Sequence, residues 1–392
     1  MHKNKEEGKI NVLLIKNGRV HDGKRNVFER TDILVENGKI SRIAENIQCE
    51  DAEIVDAGGK EVFPGFVDPL NTWGVTGPAW TGHDLDEGSE PLTPEMNIVD
   101  GFDHDGMLFQ KVYTYGITSA GITPCLTNVL SGTAAAFKTV GRSPYDMLIR
   151  ENAAMIGSVS NGVKQKFRPR NVAPQTRMGA FALLKKQMRA AADYDLEKGY
   201  DAKCEAMRPV LAGETPLFVN CANKAQLDAL FLAVRDYPEI RLVVLGAYGM
   251  DRSFKQITSG KCGVITGDIS QAFNDGGRIL NYSDVISMMR DGARIAIGSC
   301  GEMFGSGKES LLFNAAMFRK RGLGAEETLR AITSMPAELL GIDGRVGAIA
   351  QGMDADIVVW SANPLETYLA RAEFVFIDGK NVLKGDGHTS CW

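Results

Sequence analysis

Phe63-Pro-Gly-Phe-Val-Asp-Pro-Leu-Asn-Thr-Trp73 is the stretch on which the reading of this 392-residue chain turns. Phe63, Phe66 and Val67 form a short apolar run of the kind that becomes a buried strand. Alternate residues of a strand point to the same face, so Asp68, Leu70 and Thr72 are expected to project together. Before the stretch come apolar runs separated by Asn-Gly turns. After it comes a long series of strand-helix units.

Composition sets the outer bounds. Hydrophobic content of 44% and charged content of 24% supply ample material for a core. A net charge of −5 with mixed signs gives no reason to expect nucleic acid or an anionic membrane as partner. The first eight residues are charged, the apolar run Ile10 to Ile15 is too short for a signal sequence, and no run approaches the ~20 apolar residues of a membrane span. The seven cysteines are scattered, with no Cys-x-x-Cys pair, which suits reduced thiols. The expectation is a cytoplasmic protein. Histidine is scarce: His2, His21, His83, His104 and His388, no two of them at metal-ligand spacing.

Taken in order, Asn11 to Val62 reads as small antiparallel strands. Lys16-Asn17-Gly18 and Glu36-Asn37-Gly38 are read as hairpin turns, because both central residues of such a turn need positive φ. Ala355 to Trp360 and Phe374 to Ile377 repeat the pattern near the other end, the latter closed by Asp378-Gly379. Isolated hairpins are marginal in water, so the two ends are expected to pair into one composite β-sandwich. Between them, strand-like and helical stretches alternate. Met107 to Tyr115 and Ser143 to Glu151 read as helices, Thr133 to Thr139 and Ala154 to Val159 as strands, and Arg177 to Tyr194 as an amphipathic helix. Such alternation implies a parallel sheet, at the length of a (β/α)₈ barrel. The expected fold is therefore α/β: a (β/α)₈ TIM-type barrel over 63–344, with a β-sandwich from 1–62 and 345–392.

The opening stretch resembles the first barrel strand of the amidohydrolase superfamily, whose signature there is Pro-Gly-x-x-Asp-x-His-x-His. Pro64, Gly65 and Asp68 match it. Tyr115-Gly-Ile-Thr118, Phe137-Lys-Thr139 and Pro216-Leu217 add to the likeness. So do Ala331-Ile-Thr, the run from Pro336 to Asp343, Arg345-Val-Gly and Gly352-Met-Asp-Ala-Asp-Ile-Val. The chain is most similar to the group that includes imidazolonepropionase-like proteins, over about residues 11–383.

The resemblance implies a metal site at the C-terminal mouth of the barrel, and its ligand positions are substituted here. The two histidines of the first strand fall on Leu70 and Thr72, and a carboxylate after a middle strand on Asn161. Later histidines fall on Asn220, Ala222 and Gly246, and the aspartate that serves as ligand and general base falls on Cys300. A hydrolytic site needs three or four strong ligands and an open position for water. The metal brings that water's pKa toward ~7, and a carboxylate takes the proton. Leu, Ala and Gly offer no lone pair, the Asn amide is a weak ligand, and one thiolate makes no site. Such relatives spend about four histidines on metal, which this chain hardly has.

The expectation is thus a non-catalytic superfamily member without bound metal or cofactor, acting as a ligand-binding or structural subunit. It would self-associate or pair with an active paralogue. The alternative is a hydrolase of non-peptide C–N bonds, of cyclic amide or amidine type, with a rebuilt zinc site. Asp68, Asp251, Asp268, Cys300 and Glu302 lie near strand ends and are the candidates for rebuilding. Exposed acids at loop starts are more often solvated, and no histidine is placed to activate Cys300 as a nucleophile. Cys221, facing away from Asn220, reads as core. The acidic loop Trp73 to Asp105, with His83, Asp84, Asp86 and His104, reads as a lid or subunit contact. Gly305-Ser-Gly-Lys308 falls short of a phosphate loop, since Glu309 follows the lysine. Lys166, Arg168 and Arg170 form a small basic run.

Overall fold

The computed structural model describes residues 12–77, 84–267, 280–300 and 307–383. Two eight-stranded sheets organise it. The first is built from both ends of the chain: β1 (Val12–His21), β2 (Val27–Glu36), β3 (Lys39–Ala44), β4 (Glu53–Asp56), β5 (Glu61–Pro64), β14 (Ile357–Trp360), β15 (Ala372–Ile377) and β16 (Lys380–Asn381). Their hydrogen bonds run in the order β16-β15-β14-β5-β1-β2-β3, with β4 also on β1. Contrary to the all-antiparallel reading, β4 and β5 lie parallel to β1. The two chain ends meet where β14 pairs antiparallel with β5. Ile15, Ile33, Val35, Val62, Ile357 and Val359 belong to this sheet's own apolar core.

Asn37-Gly38 and Asp378-Gly379 form turns with both residues at positive φ. Asn17-Gly18 does not. Asn17 has φ 56° inside the continuous strand β1, where the register with β2 shifts, and its N–H donates to Asp32 at 2.8 Å. A bulge asks for the same left-handed residue as a tight turn, so the dipeptide signals both. The actual β1–β2 turn spans residues 22–26, with Asp22 accepting from the backbone of Lys24 and Asn26.

The second sheet is the barrel: β6 (Phe66–Asn71), β7 (Ile117–Ile122), β8 (Leu130–Lys138), β9 (Leu148–Ser158), β10 (Leu217–Cys221), β11 (Leu242–Gly246), β12 (Gly263–Thr266) and β13 (Ile295–Ile297). They neighbour one another in chain order. All pairings are parallel except β7–β8 and β8–β9, so β8 runs against its neighbours. An antiparallel neighbour needs no crossover helix. That is why the helix read over Ser143–Glu151 is only Pro144–Met147, with Leu148 to Glu151 already in β9. Likewise Met107–Tyr115 is turns ending in a short 3-10 helix, Val112–Tyr115, flanked by Lys111 and Gly116 in the left-handed region. The helix Ser334–Leu340 contributes Met335, Leu339 and Leu340 to the same apolar cluster as the strand residues Ala134, Ile156 and Ile265. No helix among the described residues is long and apolar enough to cross a membrane.

Candidate barrel-mouth site

Strand β6 explains the signature that begins the barrel. A Cβ on Gly65 would stand 2.0 Å from Thr118 Oγ1 and 2.5 Å from its Cγ2, so only glycine lets the chain pass β7 at this depth. Three residues on, Asp68 is completely buried. Its carboxylate accepts from Ser299 N–H at 2.9 Å, Ser299 Oγ at 2.6 Å and Asn71 Nδ2 at 3.0 Å. Burial pushes this carboxyl up to about 6, although the donors from Ser299, Asn71 and Leu70 all hold it down. No strand hydrogen bonds join β13 to β6 among the described residues. Asp68 spans that seam, tying the first strand to the residues after the last.

Of the positions singled out in the sequence, Leu70 and Cys300 share one cluster, while Asn220, Gly246 and Asn161 lie on β10, on β11 and at the start of the helix after β9. Leu70 and Cys300 are buried in one apolar cluster that also holds Leu126, Phe218, Leu245 and Ile265. Thr72 is buried, and its hydroxyl and carbonyl are engaged by Thr76 Oγ1 at 3.1 and 2.8 Å. Asn220 is half-buried in β10. Asn161 opens the helix Asn161–Phe167, one residue beyond its cap Ser160. Gly246, at the end of β11, has φ 82°, and a Cβ there would meet the Tyr248 ring at 3.0 Å. Cys300 itself sits at φ 51°. Ala222 is buried, and its N–H donates to Gln226 at 2.7 Å.

At these positions the side chains offer few donors to a hydrolytic metal. A tetrahedral zinc site wants three lone-pair donors converging at about 2.0–2.3 Å. Here Leu70 and Gly246 have none to give, and Cys300 is the single soft ligand. Among the described residues no group of three or more His, Cys, Asp or Glu is placed to hold an ion.

The other sequence candidates among the described residues have partners of their own. Asp251 accepts from Ser253 and from the Lys224 ammonium at 3.0 Å; these bonds, led by the Ser253 hydroxyl, hold it down at about 2. Lys166 binds Asp86, the Glu87 carbonyl and Asn128 Oδ1, so it ties down the acidic loop. His104 lies 3.7 Å from the exposed Asp105. Lys308 donates to the carbonyls of Met107 and Gln110. Cys221 is buried in the layer between barrel and helices. His83, Asp268, Glu302 and Gly305 lie outside the described residues.

Two buried charged groups escaped the sequence reading. Lys138, in a strand with no exposed residue, reaches Asp356 at 2.7 Å, Asp354 at 3.0 Å and Asp378 at 3.1 Å. His21 is buried between Glu61 at 2.6 Å and Glu326 at 2.7 Å. A lysine closing the apolar run Ala134 to Phe137 was the available signal for the first. Nothing local marked the second, since its partners stand 40 and 305 residues away.

Comparison with known proteins places this geometry in context. The amidohydrolase family model matches residues 263–385. "Amidohydrolase tasK" of Hapsidospora irregularis is 26% identical over 391 residues, covering 89% of this chain and 39% of that protein. A dihydroorotase of Lactococcus lactis is 57% identical over 57 residues, 14% of each chain. The chain therefore spans well under half the length of these two relatives. An amidohydrolase structure from Thermotoga maritima superposes with a TM-score of 0.86 at 27% identity, covering 94% of this chain and 99% of that one.

Proposed function

This chain belongs to the amidohydrolase superfamily, and we propose that it is a member that works by binding or assembly, without metal-dependent hydrolysis. The observation that carries the reading is that Leu70 and Cys300, two positions where relatives would ligate metal, lie together in the apolar interior of the barrel. A hydrolytic ion must be held by several donors and still expose one site to water. A leucine in place of a donor costs a ligand and also removes the water-filled space the reaction uses. The left-handed backbone at Gly246 adds a second obstacle, because a histidine there would be strained. In this reading the protein is cytoplasmic, and either a homo-oligomer or the inactive partner of a catalytically intact paralogue.

Elemental analysis of tag-free protein grown with zinc, manganese and iron tests the proposal. The expected content is below ~0.1 equivalent of any transition metal, unchanged in the Leu70→His, Thr72→His double variant. About one equivalent of zinc in the wild type would overturn it. That outcome would favour the second reading, a hydrolase of non-peptide C–N bonds whose site is rebuilt around Cys300. The names of the relatives, amidohydrolase and dihydroorotase, support that reading. Stoichiometric zinc in the double variant alone would mean that the remaining positions are competent to ligate.

A further inference from the structure

The β1–β2 turn meets the helices Ala325–Ala331 and Ser334–Leu340. They enclose a cavity of about 260 Å³. Lys24 comes from the turn, Arg330 and Glu338 from the helices, and Asp343 from the segment leading back to the composite sheet; Val346 and Ala348 complete the wall. The Ser334 hydroxyl donates to the Gly23 carbonyl at 2.7 Å, fixing the turn against the helix.

Two cations and two carboxylates line the cavity, but Glu338 is bound to Arg294 and Asp343 stands exposed on the rim, so neither acid is paired with the cations. Neither the Lys24 ammonium nor the Arg330 guanidinium has a hydrogen-bond or ion-pair partner among the described residues. Glu338, the nearest acid on Arg330's side, is engaged by Arg294 at 2.8 Å. Burial first, then the charge of Arg25 nearby, lowers the proton affinity of Arg330, and Glu338 only partly opposes this. A half-buried guanidinium normally finds a carboxylate or a set of carbonyls. This one faces a cavity instead.

We propose that this cavity binds a small phosphate monoester, with Arg330 and Lys24 gripping the phosphoryl group. Two unpaired cations suit a dianion, whereas a monocarboxylate would leave one of them uncompensated. The guanidinium fork matches two phosphoryl oxygens, and lysine adds a point charge from the other side. The cavity exceeds what a bare phosphate fills. The exposed Asp343 carboxylate on its rim can accept hydrogen bonds from a hydroxyl on the rest of the ligand. The site lies where the turn of the composite sheet meets the helices, and none of its lining residues is one of the substituted positions.

The test is isothermal titration of the full chain with inorganic phosphate and with glycerol 3-phosphate at constant ionic strength, using glycerol and acetate as controls. The expected result is saturable one-site binding of both phosphates, tighter for glycerol 3-phosphate, and none for glycerol or acetate. Lys24→Gln and Arg330→Gln should each weaken binding about tenfold or more, since each removes a charge-assisted contact. Arg330 is half-buried and its variant could misfold; Lys24 is exposed on a turn, so its variant carries the test by itself. Absence of saturable phosphate binding would overturn the proposal. So would unchanged binding in a folded Lys24→Gln protein, or acetate binding as tightly as phosphate.

Discussion

Asp68 holds an acid where no water reaches it, and its four hydrogen-bond donors do not fully compensate. Because burial raises its folded pKa to about 6 from an ordinary value near 3.8, its contribution to stability is greatest below the unfolded value. That contribution is lost as pH rises through about 6. A shift of this size corresponds to about 3 kcal/mol between the two limits. Asp68→Asn removes the titration, at the cost of about 1–2 kcal/mol for a mismatched donor facing Ser299 and Asn71. Denaturant titrations of both proteins between about pH 4 and pH 7 should therefore show the wild type losing its advantage as pH rises. A stability difference that stays flat across that range would rule out a buried, titrating Asp68. The residue was legible as part of a signature, but its job was not. Ser299, its main partner, lies 231 positions away, and only closure of the barrel brings the two together.

At the level of elements, sequence periodicity identified what each segment is and was weaker on how it is joined. The apolar run Ala154 to Val159, most of it in β9, was readable as a strand because barrel strands are buried on both faces. The reversed direction of β8, itself read as a strand over Thr133 to Thr139, was not, since an antiparallel strand buried on both faces has the same composition. Asn17-Gly18 shows the same limit: positive φ is legible, while the choice between turn and bulge depends on whether Asp32 is there to receive the Asn17 N–H. Gly65 gives an element-scale prediction. Its missing side chain is what lets the β5–β6 segment cross Thr118, whose Oγ1, Cγ2 and Cβ would all lie within 2.7 Å of an added methyl. Backbone and a β-branched side chain, stiff at χ1, must shift together to make room. Gly65→Ala should cost about 1–3 kcal/mol or more, seen as a lower urea midpoint at unchanged m value. A wild-type midpoint would mean that β6 and β7 have slack the packing does not suggest.

Across the whole molecule, the composite sheet and the barrel are locked by buried charge. Lys138 of β8 is surrounded by Asp354, Asp356 and Asp378, and Asp354 also takes Lys39 at 2.5 Å and Arg345 at 2.9 Å. Burial pushes the Asp356 carboxyl up, against the pull of Lys138. The Asp-Ala-Asp motif near the C-terminus thus owes its character to a lysine more than two hundred residues earlier, which sequence periodicity cannot reveal. A second strut is set by His21. Its Nε2 and Nδ1 each face a carboxylate, Glu61 of β5 and Glu326 of the helix Ala325–Ala331, and its ring packs edge-on against Phe63 at 4.3 Å. A neutral imidazole would turn a lone pair toward one of those carboxylates. Burial alone would lower the pKa of His21, but the bonds to Glu326 and Glu61 outweigh it and the net shift is upward. The strut therefore contributes fully below the unfolded value of about 6.5 and is lost as pH rises through the higher folded value. On the acid side, burial would raise Glu61, yet His21 and Arg19 hold it below its usual range. Its share is lost as pH falls through that depressed value, so the strut works in a window bounded at both ends. His21→Gln can donate to only one carboxylate at a time. The variant should be less stable by about 1–3 kcal/mol near pH 6, and the gap should close as both proteins are taken to alkaline pH. Thermal melts of the pair at about pH 6, 8 and 10 decide it: a constant gap would mean that His21 contributes packing and not charge.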